Sequence, residues 1–424
     1  MKHLYCLLLL LCPYLAICQT DDSIVRSVAQ QKLIYIPDSI RSYNLDNDTS
    51  RWSWRCSVQT QNLVFFWEKG FGNNPYDAPK LKGQPMNFDI GNLQVRLERF
   101  YHYFRDTLKF TLPGSISDKY KMMVMVNYSL DGTAYGGTYD DFVGALWVAP
   151  NRIQDEKLNA LAHELGHSFQ LQLMADKAGE AWGGSGFFEM TSQWMLWRVN
   201  PNWIKEEQYH FDAFKKLTYK GFLALDNIYH SPYVIEWWAE KHGLSSIADL
   251  FRAGKVGEDP VITYKRLYGL SQQQFNDEIF DCYRHLMDFD FQYARSNTRQ
   301  FACSFQTPIG FQRNVWIKPD TTYVPENYGF NAIHIPLTLL DKKSKVKVDF
   351  RALSDNGYRY GFVGVTSDDQ CIYGQMGSEA EASLSFRFGK NMKLKALYFV
   401  VMGAPETHDM DPSSRKFPYE IKVN

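Results

Sequence analysis

The chain has 424 residues, 45% hydrophobic and 22% charged, with a formal net charge of −1, enough for two or three domains with ample cores. A near-neutral balance without a basic block leaves no electrostatic footprint for nucleic acid or an anionic membrane, so neither is an expected partner. Aromatic residues reach 16% with 11 tryptophans, which large aromatic cores or a glycan-facing surface would each explain.

The N-terminus reads as a targeting signal. Lys2 precedes an apolar stretch over residues 4–17, interrupted by Pro13, and Ala16 and Cys18 take the −3 and −1 positions of a cut before Gln19. This predicts a secretory signal peptide over residues 1–18, too short for a stable span. Lipid attachment at Cys18 is the alternative, although Ile17 is bulky where such signals want a small residue. The expected location is secreted, periplasmic or cell-surface, and no later run is apolar enough for a transmembrane segment. Cleavage would remove Cys6, Cys12 and Cys18. The remaining Cys56, Cys282, Cys303 and Cys371 allow two disulfides in any of three pairings, or free buried thiols.

Residues 19–50 are polar and predict an irregular lead-in. Leu63-Val64-Phe65-Phe66-Trp67, closed by Gly70-Phe71-Gly72, reads as a buried strand. Residues 90–110 have helical apolar spacing through Leu93, Leu97, Phe100 and Phe104, and residues 120–126 read as a second strand. Asp131-Gly132 and Gly136-Gly137 are expected turns before a further strand over residues 144–150.

The chemistry sits in the next helix. His163-Glu164-Leu165-Gly166-His167 lies in a stretch, residues 156–174, that has no proline. Histidines at i and i+4 leave one helix face and can grip one zinc ion, with Glu164 beside them to take a proton from a metal-bound water. Leu158, Leu161, Ala162, Leu165 and Phe169 form an apolar stripe, while His163, His167, Gln170 and Met174 form another. The competing explanation is two polar positions on an amphipathic helix. A third histidine is absent at the extended zinc-protease spacing, where Gln170 and Leu173 stand in place of glycine and histidine. A glycine-rich turn containing Gly179, Gly183, Gly184 and Gly186 leads into a helix over residues 187–197, and this hairpin would return Glu189 to the histidines. Glu189 is therefore the expected third ligand. Glu180 in the turn is the competitor, and a simple helix N-terminal glutamate is the bland reading of Glu189. Three protein ligands leave a fourth position for water, as in catalytic rather than structural zinc. Manganese, iron or cobalt could occupy the same donor set.

With its downstream glutamate, the motif resembles the zincin metallopeptidases, specifically the gluzincin branch. The His-Glu-x-Gly-His form, Gln170 and the glutamate spacing are also similar to the mucin-directed peptidases related to enhancins. The likeness covers about residues 120–200 by motif and order. It implies Zn2+ held by His163, His167 and Glu189, with Glu164 as general base. It implies an edge strand above the helix that binds substrate backbone, for which Ala145, Leu146 and Trp147 are the candidates. It further implies an oxyanion donor from a later tyrosine or histidine, here Tyr229, His230 or Tyr233 in Asn-Ile-Tyr-His-Ser-Pro-Tyr.

Residues 201–290 read as mostly helical, including 245–253, 260–267 and 271–287, and would form the lower half of a cleft. From residue 315 short strands dominate, at 331–339, 345–352, 358–366, 382–388, 393–402 and 418–423, which argues a β-sandwich. The expected organisation is an α+β zincin-like domain over residues 19–295, with a mixed-sheet upper and a helical lower half, then an all-β sandwich over 300–424. That sandwich is either an accessory binding module or a structural cap, and His408-Asp409-Met410-Asp411 reads as a solvated turn. The functional expectation is a secreted zinc peptidase acting on proteins or glycoproteins. Its alternatives are a catalytically degenerate zincin-fold or β-sandwich protein binding surface glycans or proteins, and a non-peptidase zinc hydrolase. Nothing in the sequence sets the oligomeric state.

Overall fold

The structure, a computed structural model, describes residues 31–177, 182, 186–340, 345–389 and 392–424. The signal-peptide reading, with Cys6, Cys12 and Cys18, and the candidate Glu180 with Gly179, Gly183 and Gly184 lie outside the described residues.

The first half is a mixed sheet over helices. Its strands are β1 (Ser57–Gln59), β2 (Leu63–Trp67), β3 (Met122–Val126), β4 (Ala134–Tyr139) and β5 (Val143–Val148), in the order β1-β2-β3-β5-β4. β2, β3 and β5 run parallel, and β1 and β4 flank them antiparallel. β2 and β3 are apolar at every position because both faces of the sheet are covered. Leu63, Phe65, Trp67, Met122, Val124 and Val126 face the main core with the helices. Val64, Phe66, Met123 and Met125 alternate onto the other face, where Ile40, Leu45 and Trp52 cover them. Of the expected irregular lead-in, residues 19–30 lie outside the described residues; from residue 31 it is largely irregular but packed as a lid on the sheet, with a short helix α1 (Asp38–Arg41).

Two expectations about the sheet are corrected. Gly136-Gly137 is not a turn but lies within β4. The strand over 144–150 is not the edge either, since β5 pairs with β3 on one side and β4 on the other. β4 is the edge.

Beneath the sheet run α2 (Ile90–His102), the short α3 (Ile116–Lys119), α4 (Asn159–Ala175) and α5 (Phe187–Val199). Then come α6 (Trp203–Glu206), α7 (Gln208–Lys216), α8 (Tyr233–His242), α9 (Ser246–Ala253), α10 (Pro260–Tyr268), α11 (Gln272–Leu286) and α12 (Arg295–Thr298). Helix α11 opens with a reciprocal capping box between Ser271 and Gln274. α4 buries Leu161, Ala162, Leu165, Phe169 and Leu173. It is pinned to the sheet by polar ties one turn apart: Ser168 Oγ donates to the Ala145 carbonyl (2.7 Å), and Gln172 joins the Gly144 amide (2.5 Å) and the Phe142 carbonyl (3.0 Å).

The C-terminal strands are β6 (Trp316–Ile317), β7 (Phe330–His334), β8 (Lys345–Ala352), β9 (Tyr358–Thr366), β10 (Cys371–Gly377), β11 (Glu381–Arg387), β12 (Leu394–Gly403) and β13 (Tyr419–Val423). They form two four-stranded antiparallel sheets, β10-β9-β12-β7 and β11-β8-β13-β6. The architecture is therefore α+β followed by a β-sandwich. Strand β10 was not expected. It is a partly exposed edge with two glycines, Gly374 and Gly377, and lacks the apolar alternation that marks its neighbours.

The two sheets meet through Val346, Val348, Phe350, Tyr360, Phe362, Phe399, Val401 and Ile421. The opposite face of β9 and β12, with Val363, Val365, Tyr398, Val400 and Met402, belongs to the same core as Phe275, Ile279 and Phe280 of α11. Residues 32–424 are accordingly one compact unit, and the change from helix to strand near residue 300 is not a seam in the packing. Polar ties reinforce it: Tyr283 donates to the Tyr328 carbonyl (2.7 Å) and Asn276 to the Pro405 carbonyl (2.9 Å). Of the expected solvated turn, Met410 and Asp411 are exposed, but the His408 side chain is not. Its Nε2 is 2.6 Å from Asp259 Oδ2 and its Nδ1 is 3.0 Å from the Tyr328 hydroxyl, with the His408 and Asp259 side chains both largely buried. Cys56, Cys282, Cys303 and Cys371 are all free thiols. Among the described residues, no helix is long and apolar enough to cross a membrane.

Candidate metal centre

α4 and α5 cross at close range because Gly166, inside the motif, has no side chain. A Cβ there would stand 2.9 Å from Ser192 Oγ and 3.3 Å from Ser192 Cα. This approach carries Glu189, on the first turn of α5, onto the histidine face of α4. α5 is fixed in turn by Glu236 of α8, wholly buried, which accepts from Trp194 Nε1 (2.7 Å) and Arg198 Nη1 (3.1 Å).

The three expected ligands converge. His163 Nε2 and His167 Nε2 are 3.0 Å apart, and Glu189 Oε2 lies 3.0 Å from the first and 3.1 Å from the second. Among the described residues this is the one group of histidine, cysteine or acidic side chains close enough to share an ion. The outer nitrogens explain what the inner ones offer. His163 Nδ1 lies 3.0 Å from Gln193 Oε1, whose amide nitrogen is committed to the Tyr229 carbonyl (3.0 Å). His167 Nδ1 lies 3.0 Å from Gln170 Oε1, whose amide nitrogen donates to the Phe188 carbonyl (3.0 Å) and Ser192 Oγ (3.2 Å). An amide oxygen only accepts, so both Nδ1 atoms carry the proton and both Nε2 atoms present lone pairs. Two lone pairs and a carboxylate oxygen held about 3 Å apart repel one another unless a cation lies between them. Tetrahedral zinc with bonds of about 2.0–2.1 Å sets its ligands roughly 3.3 Å apart, close to the spacing found. The residues fit the ion.

The same three side chains are coupled electrostatically. Burial pushes the Glu189 carboxyl up, but the two imidazoles override it and hold it well below the usual range. Burial lowers His167, and Glu189 more than offsets this, so its net shift is upward. Glu164 is not a ligand. Burial raises its pKa, and its Oε2 accepts from the Gly136 amide at 2.9 Å, which places the carboxyl between the edge strand and the histidines.

The cleft, about 380 Å³, is lined by Ala134, Tyr135, Gly136, Leu171, Phe188 and Tyr229 together with His163, Glu164, His167 and Glu189. Of the three oxyanion candidates only Tyr229 reaches it. Its ring lies 6.1 Å from that of His163. Its phenol is pushed up to about 12 by burial and then by Glu189, whose carboxylate it faces, so it stays a proton donor at neutral pH. His230 is corrected: its Nδ1 lies 2.7 Å from His210 Nδ1, which turns it out of the cleft. Tyr233 is also corrected, because it is 1% exposed and packed between Trp197 and Phe214. Ala145, Leu146 and Trp147 are not the substrate edge, for β5 spends its main chain on two neighbours and Ala145 and Leu146 are buried.

Gln193 and the Gly136 amide were missed. Gln193 was findable, because Glu189 and Gln193 stand at i and i+4 on α5 and so share a face. Gly136 had a signal too: a glycine inside a strand marks close approach of another backbone.

A model of known families covers residues 26–424. The chain belongs to DUF6055, a family of unknown function. No curated protein matches it. Among solved structures, a Yersinia pseudotuberculosis-derived mitogen is similar at 5% identity over 23% of this DUF6055 chain and 77% of the mitogen, with a TM-score of 0.19, a level that carries no argument about fold or function.

Proposed function

We propose that this chain is an exported zinc-dependent peptidase of gluzincin type, acting on extracellular proteins or glycoproteins. The observation that carries the reading is the convergence of His163 Nε2, His167 Nε2 and Glu189 Oε2 within 3.0–3.1 Å of one another, beside a carboxylate that is not a ligand. His163, His167 and Glu189 would hold zinc, which when bound lowers the pKa of a coordinated water toward about 7 and polarises a carbonyl.

The remaining chemistry belongs to the chain itself. Glu164 has one oxygen fixed by the Gly136 amide. Its carboxylate serves as general base toward water and returns the proton to the leaving amine. The raised pKa suits both directions of transfer. The Tyr229 hydroxyl donates to the oxyanion of the tetrahedral species. β4 supplies main-chain groups at an open sheet edge, to which an extended polypeptide adds as a further strand. That demand for an extended chain favours a peptide substrate over a small ester or amide.

The test is hydrolysis of a denatured protein by the full chain beside Glu164→Gln. The reading requires cleavage by the wild type and, in the variant, retained zinc with cleavage lost. Equal cleavage by both, or none by a zinc-loaded wild type, would refute it.

A further inference from the structure

Along β4 the metal centre opens into a second cavity of about 500 Å³, lined by Tyr135, Thr138, Asp141, Leu171, Met174 and Lys177. Tyr135 and Leu171 line both cavities, so the two adjoin. Its floor is the histidine face of α4 carried further: Leu171 and Met174 follow His167 at i+4 and i+7. Met174 is 45% exposed, an apolar side chain left open beside a reactive centre.

The register of β4 says what would lie above that floor. Gly136 turns its amide to Glu164 rather than to β5. The alternation of an antiparallel ladder then points the main-chain groups of Ala134, Gly136 and Thr138 at the open edge, and those of Tyr135, Gly137 and Tyr139 at β5. Gly136 has used its N–H, so on the cavity side of it Thr138 is the position that offers both N–H and C=O. The Cβ position of Gly136 faces the α4 backbone, and Thr138, two residues on, faces the same way.

Resting on the peptidase reading above, we propose that this cavity is a subsite for one bulky apolar side chain of the substrate, at a fixed position on the amino-terminal side of the cut bond. β4 runs from the metal centre toward the cavity. A substrate strand pairing antiparallel, in the sense by which β4 already pairs with β5, runs from the cavity to the metal centre, so the residues over the cavity precede the bond. Directly opposed residues of an antiparallel pair put their side chains on one face. The substrate residue opposite Thr138 therefore points onto Leu171 and Met174. Asp141 and Lys177 carry opposite charges, so the cavity has no net charge to select by and its apolar floor decides.

The test is digestion of a random peptide library by the full chain, with every cut site sequenced, beside Met174→Glu and Met174→Leu. The expected result is enrichment of Leu, Met, Phe or Tyr at one position before the cut. Met174→Glu should cut the preference for Leu over Asp there by about tenfold or more, and Met174→Leu should keep it. Binding of an apolar-site peptide and its Asp-substituted twin to Glu164→Gln gives a second readout, in which the same preference should appear in Kd. Cleavage without that preference, or with it only after the cut, overturns the subsite and leaves the peptidase reading standing. No cleavage of any peptide by the wild type removes both.

Discussion

The amide of Gly136 donates to Oε2 of Glu164 across 2.9 Å, and a Cβ on Gly136 would stand 1.8 Å from the Glu164 carbonyl oxygen. One glycine thus sets both the orientation of the candidate base and the distance between edge strand and helix. Gly136→Ala cannot keep both. The substitution should push β4 off α4 and release the carboxylate, with a loss of kcat/KM of roughly 100-fold, as a misplacement of about 1 Å can produce. Zinc content should stay at the wild-type level, because no ligand is touched. Kinetics paired with metal analysis checks this, and loss of zinc would place the role of Gly136 in folding instead.

Gln193 and Gln170 hold the outer nitrogens of the two histidines. Gln193→Leu should weaken zinc binding by about 10–100-fold, the usual range for a partner of a ligating imidazole. Competition against a chelator of known affinity measures it. Because the imidazoles must be deprotonated to bind and Glu189 raises His167 above the ordinary value of about 6.5, zinc affinity in both proteins should also fall as the pH drops, beginning above that value.

Tyr229→Phe should reduce kcat by about 100- to 1,000-fold with KM little changed, the signature of a donor used in the transition state. Tyr233→Phe should leave kcat unchanged, since Tyr233 is in the core. Steady-state kinetics of the two variants side by side separates them, and equal effects would contradict the placement.

Legibility from sequence divided by range. The helix at residues 159–175, its two faces and the pairing of His163 with His167 were readable because i, i+4 spacing on a helix fixes relative position within a turn, and the approach of Glu189 was readable from the second helix that follows. Most sandwich strands were readable from alternation. The edge was not, because strand order depends on which strands pair, and no local pattern in residues 144–148 distinguishes an inner strand from an outer one. Tyr229, His230 and Tyr233 sit within five residues, yet one lines the cleft, one meets His210 and one is core. Only long-range packing sorts them. The same holds for His408, whose partner Asp259 is 149 residues away.

The sandwich shares a hydrophobic core with the α-helical half. Residues 300–424 produced alone would expose Val363, Val365, Tyr398, Val400 and Met402, so that fragment should aggregate or bind a hydrophobic dye strongly. In the full chain, Phe280→Ala on the facing helix should cost about 3–5 kcal/mol, read as a lower denaturation midpoint. A soluble, cooperatively melting fragment would show the sandwich to be independent.

The central claim is that His163, His167 and Glu189 hold one catalytic zinc. Its most direct test is the metal content of purified residues 19–424 beside the Glu189→Ala variant. One zinc per chain in the wild type, lost or greatly weakened in the variant, is the result predicted. Equal zinc in both would reassign the third ligand, and no metal in either after zinc is added would contradict the account.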